Sequence, residues 1–151
     1  MKEMTYEQAL CKAASLCSCA EHCSHEIKEK LIKWGLSPAQ VSKAIDYLID
    51  EKYIDNSRFA RAYCLDKSRY NRWGRIKIRQ MLRMMELTDA EIQEGLSAIE
   101  SSEYIHILRE VALQKERTLK EEDEYTRRGK LIRHLLSRGF EMDIVMKELG
   151  G

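Results

Sequence analysis

The chain has 151 residues, with 26 Lys and Arg against 25 Asp and Glu and a formal net charge of +1, so any preference for a charged partner must come from local patches. One proline and seven glycines leave few turn residues for an all-β fold, whereas 34% charged residues with abundant Leu and Ala favour helix. No apolar run approaches the roughly 18 residues of a membrane span, and Met1-Lys2-Glu3-Met4 leads into an amphipathic pattern, so no membrane association and a cytoplasmic location are expected.

In chain order, Tyr6, Ala9, Leu10, Ala13 and Leu16 recur at helical spacing and predict a helix from about Thr5 to Cys17. Ile27, Leu31 and Trp34 predict a second from about Ser24, stopped by Gly35. Ser37-Pro38-Ala39-Gln40 then reads as a capping serine, a proline in the first turn and a glutamine closing a capping box. The helix that follows turns Val41, Ile45 and Leu48 inward.

The same pattern returns further along. Sliding Ile27 onto Ile78 carries Leu31 onto Leu82, Leu36 onto Leu87 and Ser37 through Gln40 onto Thr88 through Glu91. Val41, Ile45, Leu48 and Tyr53 fall on Ile92, Leu96, Ile99 and Tyr104. A weaker third copy aligns Leu131, Leu135, Phe140, Val145 and Leu149, without a Ser or Thr cap, and ends at Gly150-Gly151. Each copy is preceded by a further helical stretch, the later two at about Ser57 to Tyr70 and about Ser102 to Leu119. The expected fold is therefore all-α, three tandem three-helix repeats with about nine helices in an elongated array, straight or curved. Their expected boundaries are 1–54, 55–104 and 105–151. The acid run Glu121-Glu122-Asp123-Glu124 is expected to be a solvated connection.

Charge is concentrated in the second copy. Between Arg58 and Arg83 the basic residues Arg58, Arg61, Lys67, Arg69, Arg72, Arg75, Lys77, Arg79 and Arg83 face Asp66 alone. At about 100° per residue, Arg72, Arg75, Arg79 and Arg83 share one side of a helix and Ile78, Met81, Leu82 and Met85 another. Like charges four apart repel by roughly 0.2–0.5 kcal/mol per pair, and no acid between Arg72 and Arg83 relieves them. Either an anionic partner or acids elsewhere in the fold must do so. Tyr63, Tyr70 and Trp73 interleave with these arginines, Phe59 and Tyr63 reading as core and Trp73 as exposed. A second basic group, Arg127, Arg128, Lys130, Arg133 and Arg138, opens the third copy and suggests a basic face shared between units.

Two other classes of site find little footing. Cys17, Cys19, His22, Cys23 and His25 carry zinc-binding side chains but crowd one turn, with no second ligand pair following, so no metal is expected. The five cysteines are expected as free thiols of a reducing compartment. No glycine-rich phosphate loop, His-Glu-x-x-His pattern or nucleophile elbow is present, and neither catalysis nor a cofactor is expected.

Glu51-Lys52-Tyr53-Ile54-Asp55-Asn56-Ser57-Arg58-Phe59-Ala60-Arg61-Ala62-Tyr63, followed by Trp73-Gly74-Arg75-Ile76-Lys77-Ile78-Arg79-Gln80-Met81-Leu82, resembles the signature of the bacterial regulatory RecX family. The resemblance spans nearly the whole chain, including Ile27 through Leu31 and Trp34-Gly35-Leu36. It implies a non-enzymatic regulator of the RecA recombinase. Such a protein lies in the groove of the filament that RecA forms on single-stranded DNA, limits its growth or promotes its disassembly, and damps recombination, strand exchange and the SOS response. The residues carried over as filament contacts are Arg58, Arg61, Arg72, Arg75, Lys77 and Arg79, to which position adds Arg69, Trp73 and Arg83. Arg127, Arg128, Lys130 and Arg133 form the secondary group. Glu86 departs from the pattern, standing where the other copies have Gly35 and Gly139. The alternative is a stand-alone helical DNA-binding protein. Operator readers usually dimerise, and with no heptad or dimer helix here a monomer is expected.

Overall fold

Thr5, Ser37 and Thr88 begin helices in one way: the hydroxyl oxygen accepts the N–H of the residue three further on. That residue, Gln8, Gln40 or Glu91, accepts the cap's own N–H in return at 2.9–3.0 Å. The box at Thr5, legible as Thr-x-x-Gln, stands at the predicted start of the first helix. The structure, a computed structural model, describes residues 3–120 and 123–150. Among these it contains nine helices and no strand: α1 Tyr6–Cys19, α2 Ser24–Lys33, α3 Pro38–Asp50, α4 Asn56–Arg69, α5 Arg75–Met84, α6 Asp89–Leu96, α7 Ser101–Glu116, α8 Glu124–Ser137 and α9 Met142–Glu148. They fall into three consecutive triplets, as the repeat predicts.

The middle helix of each triplet also ends alike. Leu36, Leu87 and Phe140 donate their N–H groups to the carbonyls of Leu31, Leu82 and Leu135, each 3.2 Å away. The residue before each lies in the left-handed region: Gly35 at φ 95°, Glu86 at 63° and Gly139 at 99°. Glu86 therefore does not alter the helix end, and a side chain is held where glycine is the relaxed choice. Glu86→Gly should raise stability by about 1 kcal/mol, as read from the urea midpoint at unchanged m-value; a lower midpoint would show that the side chain contributes more than the conformation costs.

Burial divides the chain in two. Ala9, Ala13, Ile27, Leu31, Leu36, Val41, Ala44, Leu48 and Ile54 close a core within the first triplet. The second and third triplets share one core, in which Ile78, Leu82, Tyr104, Leu108, Leu135 and Phe140 are buried together. Of the expected core sets, Ile45 and Leu149 are only half-buried and packed against the rim, Leu149 because it caps the end of α9. Leu82 is wholly buried, so Leu82→Ala should cost about 2–5 kcal/mol in denaturant melts; a change near zero would contradict its place in the core.

Two joints hold the triplets in order. At the first, Asn56 accepts the Ser24 N–H and donates to its hydroxyl, each at 2.9 Å. Cys23, from the first triplet, is buried in the core of the other two. At the second, the Gly74 N–H donates to the Arg138 carbonyl at 2.7 Å and the Ile76 N–H to that of Gly139 at 3.0 Å. Arg138 returns the contact, its Nη2 donating to the carbonyl oxygens of Asn71 and Arg72. Of the acid run, Glu121 and Glu122 lie outside the described residues. Asp123 is no mere connection, for it caps α8 by accepting the Thr126 N–H at 2.7 Å, which holds its carboxyl below the usual range.

Candidate functional site

The basic segment comprises α4, the connection through Tyr70 to Trp73, and α5. On α4 the spacing of Phe59, Ala60, Cys64 and Ser68 turns those residues into the core, leaving Arg58, Arg61 and Arg69 on its flanks. Arg72 does not belong to α5, as the arginine stripe required. It sits in the connection at φ 57°, and Gly74 caps the helix two residues later.

The arginines are not unpaired. Arg58 meets Glu21 at 2.5 Å, Arg61 meets Glu94 at 2.5 Å, Arg69 meets Glu103 at 3.2 Å, Arg72 meets Glu110 at 2.9 Å and Arg75 meets Glu141 at 3.0 Å. These acids come from the α1–α2 connection, α6, α7 and the cap of α9, so the fold supplies the relief that the local sequence lacks. The hydrogen bond from Arg72 holds the Glu110 carboxyl below its ordinary value. Most of these side chains are a third to a half exposed. Pairs such as Arg61–Glu94 and Arg69–Glu103 are then worth only about 0.2–1 kcal/mol, little enough for an incoming anion to exchange with the acid.

Arg75 is different. Only 22% of its side chain is exposed, and its guanidinium lies 3.8 Å from the centre of the Tyr104 ring. Its backbone N–H donates to the Tyr104 hydroxyl at 3.0 Å, and that hydroxyl donates to Glu141, whose other oxygen takes the Arg75 guanidinium. Burial, and then the bond to Glu141, pushes the Tyr104 phenol well above its ordinary value, so it stays a donor. The three residues close a ring tying α5, α7 and α9 together, and the exposure expected of Arg75 is not met. Glu141 occupies the position equivalent to Ser37 and Thr88; its carboxylate serves this joint instead of capping a helix.

Trp73 is also less exposed than expected. It packs half-buried against the core with the Lys67 and Lys77 ammonium groups over its ring, at 5.0 and 4.6 Å. Phe59 is buried, and Tyr63 is half-buried 5.6 Å from it, ring centre to ring centre. What α5 presents outward is a mixed face. Arg83 is 60% exposed, with exposed Asp89 3.7 Å away, and Arg79 is half-buried one turn before it. Between and beside them lie exposed Ile76 and Met84, the latter 71% exposed. Sequence reasoning passed over these two; the signal was their spacing of eight, opposite Ile78 and Leu82.

The residues of the secondary group have differing surroundings. Arg128 donates to the Leu149 carbonyl at 3.0 Å and ties α8 to the end of α9, Arg127 approaches Glu116 at 4.0 Å, Lys130 is half-buried, and Arg133 is exposed. In the cysteine turn Cys23 is fully buried, Cys17 partly buried and Cys19 exposed, and all are free thiols. Burial pushes the Cys23 thiol up to about 11 and that of Cys64, in the same core, up to about 12. No three His, Cys, Asp or Glu side chains among the described residues are placed to hold a metal ion.

Comparison with known proteins gives consistent matches. The family model for the second three-helix domain of RecX matches residues 55–96, and that for the third matches 102–149. A regulatory protein RecX from Clostridium acetobutylicum is 31% identical over 99% of this chain and 72% of its own length. The regulatory protein RecX of Prosthecochloris aestuarii is 30% identical over 99% of this chain and 96% of its own. The crystal structure of RecX from Lactobacillus salivarius has the same fold, with a TM-score of 0.87 across 96% of this chain and 94% of that one at 18% identity.

Proposed function

The chain belongs to the RecX family of regulatory proteins, and on that premise we propose that it regulates the RecA recombinase without catalysing a reaction. In this reading it binds the filament of RecA on single-stranded DNA along its groove as a monomer in the cytoplasm. There it limits growth or promotes disassembly, and so damps recombination and the SOS response. The observation that carries the reading is the outward face of α5, where Arg79 and Arg83 stand beside exposed Ile76 and Met84. Apolar side chains interspersed with arginines suit a protein surface that itself carries nucleic acid; a reader of DNA phosphates alone has no use for the methionine. Arg61, Arg69 and Arg72, each in a partly exposed ion pair, add further exchangeable cations in the same repeat.

The test is RecA-driven ATP hydrolysis and strand exchange with the purified protein added before and after filament assembly. Inhibition that requires the filament, and weakens as salt rises because phosphate contacts release counterions, is the expected result. Equal binding to naked single strands with no effect on RecA would instead favour the stand-alone DNA-binding reading.

A further inference from the structure

We propose that the cleft where the C-terminal ends of α7 and α8 meet the 70–74 connection is a phosphate-binding site. It encloses about 310 Å³ and is walled by Arg72, Gln114, Lys115, Thr118, His134 and Arg138. That volume is near the lower bound of ligand pockets, about 300 Å³, and suits one phosphate group with its waters. The walls offer guanidinium, ammonium, hydroxyl and amide donors and contain no carboxylate. Two helix C-termini bring roughly half a negative charge each and Glu110 offsets Arg72, which against three cations still leaves the cleft positive by about one charge.

Three features show a site built ahead of its ligand. Arg138 is fixed by the carbonyls of Asn71 and Arg72, while its Nε is buried without an acceptor. Arg72 gives Nη1 to Glu110, which is not part of the wall. His134 lies within reach of two of these cations: burial first, and then Lys115 and Arg138, hold its imidazole below the ordinary value. Donors arriving from three segments surround a tetrahedral anion better than a planar carboxylate, and guanidinium groups match phosphate oxygens in pairs. The ligand is either a backbone phosphate of a nucleic-acid strand, which rests on the reading above, or a free phosphate, which does not.

The test follows the imidazole signals of His134 by NMR, with His22 as internal reference, during titration with inorganic phosphate and, separately, with an oligothymidylate strand at low salt. Either ligand should raise the His134 pKa saturably, since an anion offsets Lys115 and Arg138. A response to the strand identifies the backbone source, and a response to inorganic phosphate alone identifies the free anion. Lys115→Gln should weaken the response about tenfold, the loss of one charge-assisted contact, and Lys115→Glu should abolish it while lowering the thermal midpoint by only about 2–4 °C, the effect of a negative charge in the last turn of α7. No movement of His134 with either ligand, or an undiminished response in Lys115→Glu, overturns the site. Because RecA is absent from the experiment, that failure leaves the regulatory reading untouched; oligonucleotide binding without His134 movement would place strand contact elsewhere.

Discussion

Gly74→Ala should destabilise the protein by about 3 kcal/mol or more, although it adds one methyl group at a helix cap. A Cβ at residue 74 would stand 2.2 Å from the Gly139 carbonyl carbon and 2.3 Å from both its oxygen and the Phe140 nitrogen. All three are backbone atoms and cannot swing aside as the end of a side chain would. The same two chain segments are stitched by the bonds from Gly74 to Arg138 and from Ile76 to Gly139, so relieving the collision breaks them. The shared core of the second and third triplets would then open at Tyr104 and Phe140, whose rings meet 5.5 Å apart beneath this joint. Urea denaturation with a tryptophan signal measures the effect, since Trp73 adjoins the site. A midpoint within experimental error of the parent would mean that the joint is not closed in solution.

Residues 74 and 139 also show how far the sequence could be read. The repeat was legible because each copy reuses the chemistry of a helix end: Leu36, Leu87 and Phe140 close on Leu31, Leu82 and Leu135, leaving a pattern that survives even with Glu86 in place of glycine. Capping at Ser37 and Thr88 was visible for the same reason, being complete within four residues. The joints were not legible. Trp73-Gly74-Arg75 stood out as a signature, but the need for glycine arises from backbone 65 positions away, by difference between Gly74 and Gly139. The arginine stripe erred in the same way: the acids that pair with Arg72 and Arg75 lie 38 and 66 residues distant, so a local window counts those cations and misses their partners. Arg75 looked like a surface charge and the third copy merely lacked a Ser or Thr cap; the tie between Arg75 and Glu141 becomes apparent only when Tyr104 is seen between them.

Arg79→Glu with Arg83→Glu should abolish most of the inhibition of RecA while leaving the fold in place. Arg83 is exposed beyond any strong partner and no acid among the described residues pairs with Arg79, so reversal costs about 1 kcal/mol, chiefly from a negative charge near the C-terminus of α5. On the filament the same change replaces two attractions with two repulsions, and the salt dependence of binding should lose about 0.7 in slope for each phosphate contact removed on a single strand. Arg75→Glu is the instructive contrast. It would set a second carboxylate against Glu141 within a joint three-quarters buried, costing about 2 kcal/mol of stability, so any loss of inhibition there cannot be assigned to the surface. Met84→Ala separates the apolar contribution, since it should weaken filament binding without changing the salt slope. Circular dichroism and urea midpoints establish the fold of each variant, and RecA-driven ATP hydrolysis reads the function. If the Arg79/Arg83 double variant folds normally and inhibits like the parent, the α5 face is not the contact surface, and exposed Arg133 on α8 becomes the next cation to reverse.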